Sequence, residues 1–266
     1  MAHGFKHGAG GDSKKVPILN ESYPRDVAAD AAGSDVTFSV MIAENGKPAD
    51  YTYQWYYDDI PVSDADSENY TRSAEFGTHT VYCVVTNKAG MVTSRTATVT
   101  ATKQYLYKAG DECSAITGGW IAGGLQSRST YAAKSPSLNK GTSSMSASLN
   151  SGDTPSSGVV RASKSIDLAK YKTLYFDMSC TATQYNSVPI IVYAEGNSVI
   201  DFSGAAFTNT AKVPASHLFG AGKTQSRGTF AIDVSKLTGK YAIGVFFHYQ
   251  SNKGTISANI YNVWGE

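Results

Sequence analysis

Residues 51–57 form an alternating run with Trp55 inside it, and residues 81–87 form another with Cys83 inside it. Tyr53 and Trp55 share one face of the first run. Asp35–Val40 alternates in the same way, with Val36, Phe38 and Val40 on one side. Period-two runs with one apolar face must bury that face against a second sheet, and here a large ring and a small thiol supply the filling. Asp58-Asp59 and Asn87-Lys88-Ala89-Gly90 supply turns between the runs. The reading is a first domain over residues 23–102, closed by a hairpin in which 80–86 and 94–102 meet through 87–90.

Composition supports strands throughout. Seventeen Tyr and 25 Gly among 266 residues, with frequent Thr and Val, favour strands and tight turns over helices. Charged residues are only 17%, so Ser, Thr and Asn must carry the surface. The net charge of +1 comes from intermixed acids and bases, with no basic stripe, which argues against a nucleic-acid partner. No apolar run reaches the length of a membrane span, and residues 1–15 lack the apolar stretch of an export signal. Cys83, Cys113 and Cys180 lie far apart in no metal-ligand spacing, and read as free thiols of a chain folded in a reducing cytoplasm.

The first domain resembles the disulfide-free immunoglobulin-like domains of bacteria and bacteriophages, on Trp55, Cys83 and the stretch 77–90. Cys83 has no partner, because the strand that would carry one reads Phe38 and Val40; Val81 stands where a corner tyrosine is usual. That resemblance implies a surface for binding or assembly.

Residues 103–266 read as a second domain. Strand candidates recur at 144–149, 158–162, 173–181, 189–194, 198–202, 229–234, 241–249 and 255–264, with Gly, Ser, Asn and Pro between them. About eight strands at such spacing predict a jelly roll. Two phrases, 166–176 and 230–245, each carry an Asp-led link between strands, and resemble carbohydrate-binding jelly rolls of the galactose-binding type. The fold expected is therefore all-β: an immunoglobulin-like sandwich, then a jelly-roll β-sandwich, behind a flexible Gly-rich arm over 1–22.

Motifs for chemistry are sparse. Residues 217–224 end in Gly-Lys-Thr, but His217 replaces the first glycine of a phosphate loop and a strand follows where a helix is needed. Asp64, Asp66, Glu68 and Glu75 fall at the first, third, fifth and twelfth positions of a calcium loop, with Asn69 where glycine is wanted. A solvated inter-strand loop is the plainer reading. His3 and His7 in a Gly-rich arm make a poor metal site. His79 and His248 lie in strand-like runs and read as packed or face-exposed residues. No cofactor, metal or catalytic group is expected. Aromatic residues remain: Trp120, Tyr131, Tyr185 and Tyr249 are the candidates for a sugar-stacking platform, with Trp120 and Tyr131 in segments of little strand pattern and so expected to be exposed. Trp264 is expected at a sheet rim. Against this stands the plain alternative that such tyrosines fill a sandwich core.

Two further strings carry a resemblance. Residues 1–11, MAHGFKHGAGG, are similar to the N-terminus of phage and prophage structural proteins of Gram-positive gut bacteria; residues 105–120, YLYKAGDECSAITGGW, resemble a phrase of tail-region proteins of such phages. The resemblance implies a tail- or capsid-associated protein of the virion, assembled in the bacterial cytoplasm. Other virion proteins would be its partners through an arm holding His3, Phe5 and His7, a homo-oligomer would be expected, and the outer sandwich would bind cell-surface or mucosal glycan without transforming it. The alternatives are a secreted or surface bacterial glycan-binding module and, behind it, a polysaccharide depolymerase.

Overall fold

The computed structural model describes residues 15–43, 50–111, 113, 115–116, 118–124, 131–150, 154–182, 188, 190–194, 224–249 and 256–266. The chain divides into two compact units, Met1–Lys103 and Gln104–Glu266. Both are built of strands. The described residues hold one 3₁₀ turn, at Leu168–Lys170, and no helix long and apolar enough to cross a membrane.

The first unit contains β1 (Val27–Ala28), β2 (Asp35–Ser39), β3 (Thr52–Tyr57), β4 (Ile60–Pro61), β5 (Asn69–Ser73), β6 (Gly77–Asn87), β7 (Gly90–Thr93) and β8 (Ala97–Ala101). One sheet runs β1-β8-β6-β3-β4 with β7 also on β6; β2 and β5 form the opposing pair. Together they make an immunoglobulin-like sandwich. Trp55 and Cys83 are register partners across β3 and β6, and both are fully buried. Tyr70 from β5 closes over Trp55 at 5.7 Å between ring centroids, and Phe38 from β2 lies 6.4 Å from Tyr70. The indole N–H, which could not stay unpaired in this core, donates to the Ser67 carbonyl at 2.8 Å.

Three expectations for this unit change, and one spacing motif finds no counterpart. The hairpin through Asn87 closes β6 onto β7 over Val84–Asn87, and β8 pairs further along the same edge of β6, opposite β3, over Gly77–Val81. The Asn87 side-chain oxygen accepts from the Ala89 and Gly90 amides and closes the turn, and Ser94 still meets β6, its amide donating to the Cys83 carbonyl and its hydroxyl accepting from the Cys83 amide. Ile60-Pro61, read as part of a turn, is a short strand: Asp58 and Asp59 both adopt positive φ, which suits a two-residue hairpin. The calcium-loop spacing is not realised. Residues 69–73 are extended in β5, paired along β2, and Glu75 is ion-paired with Arg72, so no coil brings these carboxylates to one point. No group of three or more His, Cys, Asp or Glu positioned for a metal occurs among the described residues. Finally, residues 15–20 are tied to the sandwich and are not part of a flexible arm. Asn20 and Ala43 amides donate to the Met41 and Ile18 carbonyls, Asn87 holds the Lys15 carbonyl, and Leu19 packs on the core. His3, Phe5 and His7 lie outside the described residues.

The second unit contains β9 (Gln104–Lys108), β10 (Trp120–Gly124), β11 (Ala132–Ala133), β12 (Ser137–Lys140), β13 (Met145–Leu149), β14 (Ser156–Ala162), β15 (Ile166–Asp167), β16 (Thr173–Thr181), β17 (Ile190–Ala194), β18 (Gln225–Asp233), β19 (Lys240–Tyr249) and β20 (Ile256–Gly265). One sheet runs β10-β14-β19-β15, with β11 on β14 and β17 on β19. The other runs β12-β13-β20-β16-β18, with β9 on β20. From β15 to β20 successive strands alternate between the sheets, as in a jelly roll. Five of these strands lie beyond the eight-strand pattern; β10 and β12, for example, read WIAGG and SLNK and carry no apolar alternation. Both Asp-led links are built as expected. Asp167 accepts from the Ala169 amide, Asp233 from the Ser235 amide and hydroxyl, and Leu168 and Val234 are fully buried behind them.

The two sheets differ in what they leave open. Along β19 every residue from Ala242 to Tyr249 is buried, so that sheet is covered on both faces. Along β16 and β20 burial follows alternation, with Leu174, Phe176, Met178 and Cys180, and Ile256, Ala258 and Ile260, inward; on the outer side Asp177 alone of β16 is buried, beneath its own hydrogen-bond partners. The other outer neighbours remain within reach of solvent.

Candidate functional site

The open outer face of the β12-β13-β20-β16-β18 sheet is the candidate site, and a bulge shapes it. Met178 on β16 pairs with Ile260, but Asp177 pairs with Asn262, which leaves Tyr261 as an extra residue on β20. A bulge of this kind resets the alternation. Tyr261 and Asn262 are both half-exposed, Val263 turns inward, and Trp264 comes out onto the open face. Across the strand, Leu106 is the corresponding extra residue on β9, so Leu106 is buried and Tyr105 stands beside Trp264.

Three features follow along β20. At one end stands an aromatic row: Trp264 stacks on Tyr175 at 5.0 Å and 10° between planes, and lies 6.4 Å from Tyr105 at 57°. The Trp264 N–H donates to the Glu266 carboxylate at 3.0 Å. In the middle, Asp177 accepts two hydrogen bonds from Arg227, Nε at 2.9 Å and Nη2 at 2.7 Å, and one from Asn262 at 2.9 Å. The Arg227 guanidinium also covers the Tyr261 ring at 3.8 Å. The Arg227 hydrogen bonds hold the Asp177 carboxyl below the usual carboxylate range; burial opposes this, and Asn262 and the Arg227 charge reinforce it. At the far end is a trough of about 310 Å³ lined by Ser137, Asn139, Ser146, Ser148, Ser257 and Asn259. There the Ser146 hydroxyl donates to the Asn259 side-chain oxygen Oδ1 at 2.8 Å, and the Ser137 and Ser148 hydroxyls bond each other at 2.7 Å.

The expected platform residues are placed otherwise. Trp120 is 2% exposed: its ring packs edge-on against Tyr107 and Phe176, and its N–H donates to the Leu106 carbonyl at 3.1 Å. Tyr131 is 6% exposed, stacked on His248 at 4.9 Å. Tyr249 is 1% exposed. All three fill the sandwich, because rings this large contribute more by burial than a chain of this composition can forgo. Tyr185 lies outside the described residues, as does the Gly-Lys-Thr run at 222–224 except for Thr224. Trp264, expected at a rim, stands between two aromatic neighbours on the open face. Tyr105, Tyr175, Tyr261, Asn262, Asp177 and Arg227 were not singled out from sequence. Strict alternation along 173–181 already turns Tyr175 and Asp177 outward; nothing local announces the bulge at Tyr261.

No protein-family model matches this sequence, and no curated protein matches it. Among solved structures, the chain is similar to one solved to explain the promiscuous specificity of carbohydrate-binding modules from the beta-sandwich superfamily. That likeness has 15% identity and a TM-score of 0.37, covering 95% of this chain and 99% of that one. A second is SGBP-B of the Bacteroides ovatus mixed-linkage glucan utilization locus, in complex with a mixed-linkage heptasaccharide, at 9% identity and a TM-score of 0.27, covering 92% and 100%. A third is immunoglobulin domains 1–5 of Sidekick-1, at 12% identity and a TM-score of 0.28, covering 91% and 58%. These scores are too low to carry a functional argument; the all-β architecture rests on the strand pairing above.

Proposed function

We propose that the second unit is a non-catalytic glycan-binding module whose ligand lies on the outer face of β9, β20 and β16, and that the immunoglobulin-like unit is its spacer. The observation that carries this reading is the aromatic row Tyr105-Trp264-Tyr175 set beside the Asp177-Arg227-Asn262 cluster on one open sheet face. The C–H faces of a sugar ring pack on aromatic carbon, while its hydroxyls exchange hydrogen bonds with planar amide, guanidinium and carboxylate groups. Asp177 already accepts three hydrogen bonds, which makes it a weak base and a poor nucleophile and favours holding over cleaving.

The setting proposed for this module is the surface of a phage or prophage virion, as a tail- or capsid-associated homo-oligomer. Support comes from the resemblance of residues 1–11 and 105–120 to structural proteins of such particles. The arm with His3, Phe5 and His7 would gain order on docking to neighbouring subunits. A glycan array with the full chain tests the binding claim: signal on host-surface or mucosal glycans, reduced about tenfold or more by Trp264→Ala, is expected. Absence of any ligand at high protein concentration overturns it, and release of reducing ends from host polysaccharide overturns the non-catalytic reading. Deleting residues 1–13 tests the anchoring claim, since undiminished incorporation into particles would remove it.

A further inference from the structure

The outer face holds more than an aromatic row, and its three features are collinear. β20 is common to all of them: Trp264 belongs to the row, Asn262 to the Asp177 cluster, and Ser257 and Asn259 to the trough. Ser257 to Trp264 is seven steps of strand, roughly 23 Å at the usual rise per residue. That length exceeds a single sugar and suits several joined end to end.

The cations Arg227 and Lys108 on this face are each paired with an acid, and the Glu266 carboxylate beside Trp264 adds a negative charge. Asp177 is neutralised by Arg227, and Lys108 beside Tyr105 is paired with Asp111 at 3.3 Å. The trough's polar lining is hydroxyls and side-chain amides set among Leu138, Ala147 and Ala258, with no charged group among its residues. Such a lining offers both donors and acceptors without a field to attract or repel ions. Its hydroxyls are pre-ordered: with Ser146 donating to Asn259, the Asn259 amide hydrogens point elsewhere, and the Ser137–Ser148 pair keeps acceptor lone pairs for an incoming hydroxyl. An apolar partner would strand these groups, and an anionic one would find no uncompensated cation.

We infer that the Ser/Asn trough is a second subsite of the same face, and that the face takes an extended, uncharged oligosaccharide running along β20 from the trough to Trp264. This rests on the glycan-binding reading and adds the ligand's charge, length and direction. The aromatic row holds one end of the chain by ring stacking, and the trough holds the other by hydroxyl-to-hydroxyl and hydroxyl-to-amide bonds. Arg227 and Asn262 touch the units between.

Calorimetric titration of the full chain tests this. The probes are neutral gluco-, manno- and galacto-oligosaccharides of two and of six units, and a six-unit galacturonan as the anionic control. The expected result is that at least one neutral six-unit chain binds about tenfold or more tighter than its two-unit form, and tighter than the galacturonan. Asn259→Ala, and separately Ser148→Tyr, which fills the trough from a neighbouring strand, should erase the advantage of length and leave two-unit binding unchanged. Trp264→Ala should weaken both lengths. Equal affinity for two and six units, or length dependence that survives both trough variants, overturns the second subsite but leaves glycan binding standing. Preference for the galacturonan overturns the uncharged ligand alone. No binding of any probe by a correctly folded chain overturns this inference together with the reading beneath it.

Discussion

Trp55 and Cys83 face one another in the core of the first unit, and the thiol behaves accordingly. Burial pushes Cys83 up to about 12 and Cys180 up to about 11. Native protein at pH 8 should therefore leave both unlabelled by a thiol reagent until denaturant is added; stoichiometric labelling of Cys83 in the folded chain would contradict its placement. His79 gives a second check. Its Nδ1 lies 2.7 Å from Asp58 Oδ2, and its ring stacks on Tyr57 at 5.2 Å. Burial disfavours the charged imidazole, but the Asp58 hydrogen bond, the Phe76 carbonyl and nearby acids outweigh it and raise its pKa above 6.5. A raised pKa in the folded state means the stabilisation is complete below the unfolded value and is lost as pH rises through the folded one. Burial also works against charge on Asp58, yet the Thr80 amide and His79 bring its pKa below 3.8, so its contribution is present above that value and fades as pH falls through the folded pKa. Thermal melts should show stability declining above neutrality, with the decline reduced in His79→Gln. An NMR titration that puts the His79 midpoint at or below 6.5 would refute the pairing.

At the scale of elements, the bulge at Tyr261 decides which side chains the second unit presents. Without it, alternation from Ile256 would send Val263 outward and Trp264 into the core. Deleting Tyr261 should instead leave β20 in continuous register with β16, with Asn262 and Trp264 still outward and Val263 inward, so the variant should fold and keep the proposed glycan binding, losing only the ring under Arg227. A folded deletion variant whose Trp264 becomes buried, read from its loss of fluorescence quenching by a soluble quencher, would contradict this reading of the bulge. The same bulge explains how far the sequence could be read. Inward residues of β16 and β2 follow from period two, and the Asp167 and Asp233 links carry their own local chemistry, so those elements were legible. Trp264 was not, because a bulge depends on cross-strand pairing with Asp177 rather than on any neighbouring residue. Trp120 was misread for the opposite reason: Trp120–Gly124 lacks alternation because glycines occupy it, not because it is exposed. β5 was hidden behind a run of acids that resembles a loop until Tyr70 is seen closing over Trp55.

The whole molecule is two all-β units, an immunoglobulin-like sandwich and a jelly roll with one covered sheet and one open sheet. Composition pointed to strands and tight turns, through its many tyrosines and glycines. What composition could not tell was where the rings lie: Trp120, Tyr131 and Tyr249 went inside, and Tyr105, Tyr175 and Trp264 line the open face. The central claim is that this face, and no other, meets the glycan. Chemical-shift mapping of the full chain, titrated with the tightest-binding oligosaccharide of the array, tests it most directly. The account predicts that the largest changes fall on Trp264, Tyr175, Asn262 and Asn259. Changes confined to the first unit, or to the covered sheet around β19, would contradict it.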